Sequence, residues 1–180
     1  MRILAISGSL RSGSSNTSVL EAAAALAPAG VEVRLYDGLG GLPHFNPDLD
    51  TETPPPPVTA LRDLIGRSDG VMICSPEYAH GVAGSLKNAL DWLVGSLEFP
   101  GKPVALVNAG ARAVHSQAQL REILTTMSAT LSEKASITLD LPGRGWDAPT
   151  IASDADLAAQ LRTALADFVA DIEAHARAME

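Results

Sequence analysis

With 180 residues, 46% of them hydrophobic, the chain is long enough for one domain, 1–180, that buries about 70% of the surface its unfolded form exposes. Its formal charge is −8 and no window is enriched in Lys and Arg, which excludes a nucleic-acid footprint. A single cysteine excludes an internal disulfide, and no apolar run is long enough to span a bilayer. Met1-Arg2 leads directly into the first strand, leaving no room for a charged leader and cleavage site, so a cytoplasmic protein is expected.

Ile3-Leu4-Ala5-Ile6 reads as a buried strand, Gly8 to Thr17 as a loop, and the alanine-rich stretch after it as a helix. The loop carries hydroxyls on Ser9, Ser12, Ser14, Ser15 and Thr17, an amide on Asn16 and a full positive charge on Arg11. Gly8 and Gly13 let it turn tightly. At the start of a helix several N–H groups lack carbonyl partners and the macrodipole is positive, so such a loop suits a phosphate. Gly8 and Gly13 have the P-loop spacing, but Ser14 stands where the P-loop lysine belongs, which disfavours a nucleotide hydrolase. The Gly-x-Gly-x-x-Gly fingerprint of dinucleotide sites is missing too. Hydroxyl donors with one arginine fit a terminal monophosphate; the plainer alternative is a serine-rich turn that caps the helix.

The first helix ends near Pro28-Ala29-Gly30, and Val31 to Tyr36 alternates apolar and polar residues as a half-buried strand near the sheet edge does. Asp37 to Thr53 has no helical period and reads as a long surface excursion. Pro54 to Pro57 open a helix carrying Val58, Leu61 and Ile65 at helical spacing. Val71-Met72-Ile73-Cys74 and Val104-Ala105-Leu106-Val107 show no alternation, as strands covered on both faces require, and Ala135 to Leu141 gives a weaker last strand. Between the third and fourth strands Leu86, Leu90, Leu93, Val94 and Leu97 form one helical stripe with Trp92 off it. A ring in that position faces a partner subunit or a ligand pocket, or is a single, partly exposed aromatic. The last helix opens on the capping pattern Ser153-Asp154-Ala155-Asp156 and buries Leu157, Leu161, Leu165, Phe168 and Ile172. The expected fold class is α/β: a doubly wound, five-stranded parallel sheet in the order 2-1-3-4-5 with helices on both faces.

Ser75-Pro76-Glu77-Tyr78-Ala79-His80-Gly81 follows the third strand at the carboxyl end of the sheet, where ligands of open α/β folds bind between the first and third strands. Pro76 fixes the backbone, Gly81 permits close approach, and the main chain of Glu77 to His80 can pair with the edge of a planar ring. Tyr78 lies against such a ring or else plugs the core or a subunit contact. His44, His80, His115 and His175 sit in separate segments without metal-ligand spacing, and no catalytic triad is evident. Cys74 ends a buried strand, where inert packing is expected.

Gly8-Ser9-Leu10-Arg11 with Ser15-Asn16-Thr17, then Pro76-Glu77-Tyr78 with Gly81, then Ser85-Leu86-Lys87-Asn88-Ala89-Leu90-Asp91-Trp92 together resemble the NADPH-dependent FMN reductase family, flavodoxin-like quinone, azo-dye and chromate reductases. The resemblance implies an FMN phosphate held by Ser9, Arg11, Ser15, Asn16 and Thr17. It places Pro76, Glu77, Tyr78, Ala79, His80 and Gly81 at the isoalloxazine edge, with Asn108, Ala109 and Gly110 bordering the ring. It further implies NADPH or NADH as donor, a small-molecule acceptor, and hydride transfer through flavin N5 in a ping-pong cycle that needs no catalytic acid or base. His80 is a candidate proton donor to the reduced acceptor. A homodimer or homotetramer through the helix from Leu86 to Trp92 is implied as well. The chain departs from the family at Ala79, where an asparagine is usual, and at Ala111-Arg112-Ala113-Val114-His115, where glycines are common; Arg112 is placed to attract anionic acceptors or a cofactor phosphate. The loops from Asp37 to Thr53 and from Gly143 to Thr150 are expected to shape acceptor choice, with Trp146 overhanging a site or packing within its loop. The alternatives are an FMN-binding electron carrier of flavodoxin type that does not react with NAD(P)H, and a partner-binding domain that has lost the flavin.

Overall fold

In a computed structural model that describes residues 1–141 and 145–179, the continuous apolar runs form the centre of a parallel sheet. The strands are β1 (Arg2–Ser7), β2 (Glu32–Leu35), β3 (Gly70–Cys74), β6 (Pro103–Asn108), β7 (Thr130–Leu131) and β8 (Ile137–Thr138), in the order β2-β1-β3-β6-β7 with β8 also on β6. The pairs β1–β2, β1–β3, β3–β6, β6–β7 and β6–β8 are all parallel. A two-stranded antiparallel hairpin, β4 (Glu77–Tyr78) and β5 (Gly81–Val82), stands apart. The helices are α1 (Ser15–Ala25), α2 (Pro56–Gly66), α3 (Gly84–Val94), α4 (Val114–Thr126), α5 (Ala148–Ser153) and α6 (Ala155–Ala178).

The period-two geometry of the central strands divides the core into two layers. Leu4, Ile6, Val71, Ile73, Val104 and Leu106 face α2, α3 and α4. Ile3, Ala5, Met72, Cys74, Ala105 and Val107 face α1, α5 and α6. Val58, Leu61 and Ile65 of α2 and Leu157, Leu161, Leu165, Phe168 and Ile172 of α6 are buried as their spacing predicts. The Asp154 side chain caps α6 by accepting from the Leu157 N–H at 2.9 Å.

The expected five strands become six, because the segment from Ala135 to Leu141 pairs only at Ile137–Thr138 and a separate short strand forms at Thr130–Leu131. Serine chemistry breaks the ladder between them. The Leu106 N–H donates to Ser136 Oγ at 3.0 Å, and Ser136 Oγ in turn donates to the Ser132 carbonyl at 2.7 Å. A side chain thus takes a place that a strand backbone would fill.

The reading of the helix stripe also changes. Trp92 is completely buried inside its own chain: Nε1–H donates to the Pro43 carbonyl at 2.8 Å, and the ring meets Phe45 edge-on at 5.1 Å. Its cover is the segment after β2, which Asn88 pins by accepting from the Phe45 N–H at 2.7 Å and donating to Pro43 O at 2.9 Å. Arg62, paired with Asp50 at 2.8 Å, donates to the Trp92 carbonyl near the carboxyl end of α3, where a cation complements the dipole. The expected surface excursion is therefore a strap. Val94 and Leu97, assigned to the same stripe, are instead 63% and 93% exposed: Val94 is the last residue of α3, and Leu97 lies beyond the helix. Gly143 and Arg144, with which the second expected acceptor loop begins, lie outside the described residues; its last residues, Ala148 to Thr150, open helix α5, and Trp146 packs partly buried against the α6 side of the core.

Candidate active site

The loop after β1 and the loop after β3 meet at the carboxyl end of the sheet because their strands are neighbours, with Ser7 in register with Cys74. The Gly8 N–H donates to the Cys74 carbonyl at 2.8 Å, and Ser85 Oγ at the start of α3 donates to the Gly8 carbonyl at 3.1 Å. Gly8 is required by this closeness: a Cβ there would lie 2.3 Å from Ser75 Oγ and 2.8 Å from Ser75 Cβ.

Within the first loop, Ser7 Oγ and Thr17 Oγ1 share a hydrogen bond of 2.8 Å, the Ser9 N–H donates to Ser7 Oγ, and the Arg11 N–H donates to Ser9 Oγ, both at 3.3 Å. Gly13 turns the chain at φ +64°, and Arg11 Nη2 reaches back to the Gly13 carbonyl at 2.8 Å. Ser14 holds the N-cap position of α1 in extended conformation without a side-chain cap bond among the described residues. The first-turn N–H groups of α1 therefore face outward with hydroxyls around them, an arrangement that can hold an anion.

The other wall turns through a tight antiparallel hairpin. Positive φ falls on Ala79 (+48°) and His80 (+59°), and Gly81 keeps ordinary geometry. Two left-handed residues in succession make the type I′ turn of a two-residue hairpin, a turn that favours Asn-Gly. Here Ala-His occupies it, and α4 supplies the restraint. The Glu77 carboxylate accepts from the Ser116 N–H at 2.8 Å, Gln119 Nε2 donates to the His80 carbonyl at 3.1 Å, and Gln119 Oε1 accepts from the Val82 N–H at 3.4 Å. The rings of His80 and His115, far apart in sequence, stack at 4.3 Å. The Ser116 N–H, aided by that of His115, holds the Glu77 carboxyl below the usual carboxylate range. Glu77 thus caps α4 and is not a free base. Gln119 was invisible to sequence reasoning, since a glutamine on an amphipathic helix carries no signal of what it holds.

Between the two loops and the end of β6 opens a cleft of about 760 Å³, within the range of small-molecule sites. It brings together Ser15, Asn16, Pro76, Glu77, Asn108, Ala109 and Gly110, and adds Ser75, Arg112 and Asp140. Ser9 and Thr17 line an adjoining cleft of about 410 Å³ with Leu10, Tyr36 and Asp37. Tyr78, Ala79, His80 and Gly81 form the hairpin outside the cleft lining, and Tyr78 is exposed. Burial pushes the Cys74 thiol up to about 12, so it is no nucleophile. Among the described residues, no cluster of three His, Cys, Asp or Glu side chains is placed to hold a metal ion, and no helix is long and apolar enough to cross a membrane.

Comparison with known proteins gives this geometry a context. Residues 1–140 match the family model described as NADPH-dependent FMN reductase. An NAD(P)H-dependent FMN reductase of Pseudomonas aeruginosa is 35% identical over 153 residues, 82% of each chain. A quinone reductase of Escherichia coli is 37% identical over 143 residues, 74% of each chain. Among solved structures, FerB, a flavoenzyme NAD(P)H:(acceptor) oxidoreductase from Paracoccus denitrificans, superposes with a TM-score of 0.78 at 30% identity, covering 97% of this chain and 98% of its own.

Proposed function

Because the chain belongs to the NADPH-dependent FMN reductase family, we propose that the cleft at the carboxyl end of β1, β3 and β6 is where it binds FMN as an NAD(P)H-dependent oxidoreductase acting on a small-molecule acceptor. The observation that carries this placement is the joining of the two loops by the Gly8–Cys74 hydrogen bond at 2.8 Å, which sets Ser15 and Asn16 of the α1 N-terminus at one end of the cleft, with Ser9 and Thr17 in the adjoining one. The residues present fit the cofactor. Ser9, Ser15 and Thr17 offer hydroxyls, Asn16 an amide, Arg11 a guanidinium and α1 its free N–H groups, a donor set suited to a phosphate monoester. Pro76 and Glu77, which lead into the hairpin of Tyr78, Ala79, His80 and Gly81, and Asn108 to Gly110 offer main-chain groups for the edge of the ring.

When bound there, FMN would supply hydride transfer at N5 between NADPH or NADH and the acceptor, the two sharing one site in ping-pong order. The chain's own work is placement. The N–H groups and hydroxyls of the first loop would hold the phosphate, and the Ser116 N–H bond to the Glu77 carboxylate braces the wall at Pro76 and Glu77. Arg112, exposed at the rim and without an ion-pair partner among the described residues, draws anionic groups of donor or acceptor. His80 stands outside the lining, where water reaches it, and a proton for the reduced acceptor need not come from a fixed side chain. The chain acts as one cytoplasmic domain that assembles as a homodimer or homotetramer through α3, a reading supported by exposed Val94 at the end of that helix and Leu97 just beyond it, in place of Trp92.

The test is an absorbance spectrum of purified protein with FMN, followed by anaerobic addition of NADPH and of NADH. Rapid bleaching of the bound yellow chromophore is expected. A protein that ignores FMN refutes the site, and one that binds FMN but is not bleached is an electron carrier. Arg11→Ala is expected to weaken FMN binding; unchanged affinity removes the phosphate assignment.

A further inference from the structure

Cys74 sits at the end of β3, completely buried, between Ser7 of β1 and Val107 of β6. Its sulfur touches the α1 wall of the cleft: Sγ–H donates to Asn16 Oδ1 in the first turn of α1 at 3.3 Å. Asn16 and Ala109 both line the cleft, whereas Cys74 does not.

We infer that Cys74 is a positioning residue for the cofactor: its thiol fixes the Asn16 amide with Oδ1 turned inward and the Nδ2 hydrogens turned toward the cleft. This rests on the reading of an FMN phosphate at the start of α1. An asparagine carries an acceptor and a two-hydrogen donor on one flat group, and its terminal torsion is broad and two-fold, so packing by itself separates the two orientations poorly. A donor buried behind the oxygen decides between them. With the nitrogen outward, Asn16 offers two hydrogens to phosphate or ribityl oxygens; with the oxygen outward it would oppose an anion. A buried thiol suits the task because desolvation keeps it protonated, hence a donor, over the whole physiological range.

The test is a double-mutant cycle on FMN affinity, read from quenching of flavin fluorescence by the apoprotein, with thermal melts of each variant alongside. Cys74→Val, which fills the space without a donor, is expected to weaken FMN binding about 5- to 10-fold, the worth of one buried hydrogen bond. Cys74→Ser, which keeps the donor, is expected to stay within about 2-fold of wild type. In an Asn16→Ala background Cys74→Val is expected to add less than about 2-fold, since no amide remains to orient. Should valine unfold the protein, Cys74→Ala takes its place in the cycle. Serine as weak as valine, or a valine penalty that persists undiminished without Asn16, overturns the inference and leaves the FMN site standing. If Asn16→Ala and Arg11→Ala both bind FMN like wild type, the phosphate reading itself falls and this inference with it.

Discussion

Gly8→Ala probes the joint on which the site depends. An added Cβ would stand 2.3 Å from Ser75 Oγ, 2.8 Å from Ser75 Cβ and 3.2 Å from Ser75 Cα. A hydroxyl can rotate away from the first of these contacts, but the other two belong to atoms that move only with the backbone. The loops must separate, straining the Gly8 N–H bond to the Cys74 carbonyl and the Ser85 bond to the Gly8 carbonyl. Overpacking of this kind costs about 1–3 kcal/mol, and a melting temperature lower by about 4–8 °C follows from a mid-range value of about 2 kcal/mol for a chain of this size. Because the two loops border one cleft, FMN affinity is expected to fall at least about 10-fold in the same variant. Gly13→Ala is the control. Its φ of +64° carries the left-handed penalty of about 1–2 kcal/mol, but its Cβ would meet nothing within 4 Å, so stability should fall without the loops parting. Adding Ser75→Gly to Gly8→Ala removes the two closest contacts and should restore most of the affinity. Calorimetry and FMN titration of the four proteins decide it: wild-type affinity in Gly8→Ala, or no recovery in the double variant, refutes the claim that loop contact sets the site.

Three further outcomes are expected. Glu77 has its carboxyl held down by the Ser116 N–H, so the stabilisation it gives is present above the ordinary carboxylate pKa and is lost as pH falls through the lower folded value. Glu77→Gln should melt lower than wild type at neutral pH, with the gap closing in acid; a gap that does not change with pH contradicts the capping role. Ala79→Asn places a residue that tolerates left-handed backbone at φ +48° and should stabilise by about 0.5–1 kcal/mol in urea unfolding, whereas a loss would mean the type I′ turn is misassigned. Trp92→Phe keeps an aromatic ring but drops the donor to Pro43 and leaves a small void, so about 1–2 kcal/mol of stability should be lost with oligomeric state unchanged in sedimentation. A change in oligomeric state would return Trp92 to an interface.

Much of this protein was determined locally. The unbroken apolar runs at Val71–Cys74 and Val104–Val107 demand a sheet covered on both faces, and the helical spacing of Val58, Leu61 and Ile65 or of Leu157 to Ile172 says which side of each helix is buried. The loop before the first helix was legible as a loop for the same reason: hydroxyls, an arginine and glycines beside a helix start are a property of ten consecutive residues. Contacts between distant segments decided the rest. Trp92 looks unpartnered along α3 until the strap from Pro43 to Phe45 folds over it. The last strand looks continuous until Ser136 takes a ladder bond from Leu106. The loop after β3 carries no local signal of its turn, yet Gln119, Ser116 and His115 on α4 hold Ala79 and His80 in a turn that their own preferences disfavour. A backbone preference of about 1 kcal/mol is small against a few hydrogen bonds made in a packed structure, so local propensity yields wherever tertiary partners converge, and those partners cannot be read from neighbouring residues.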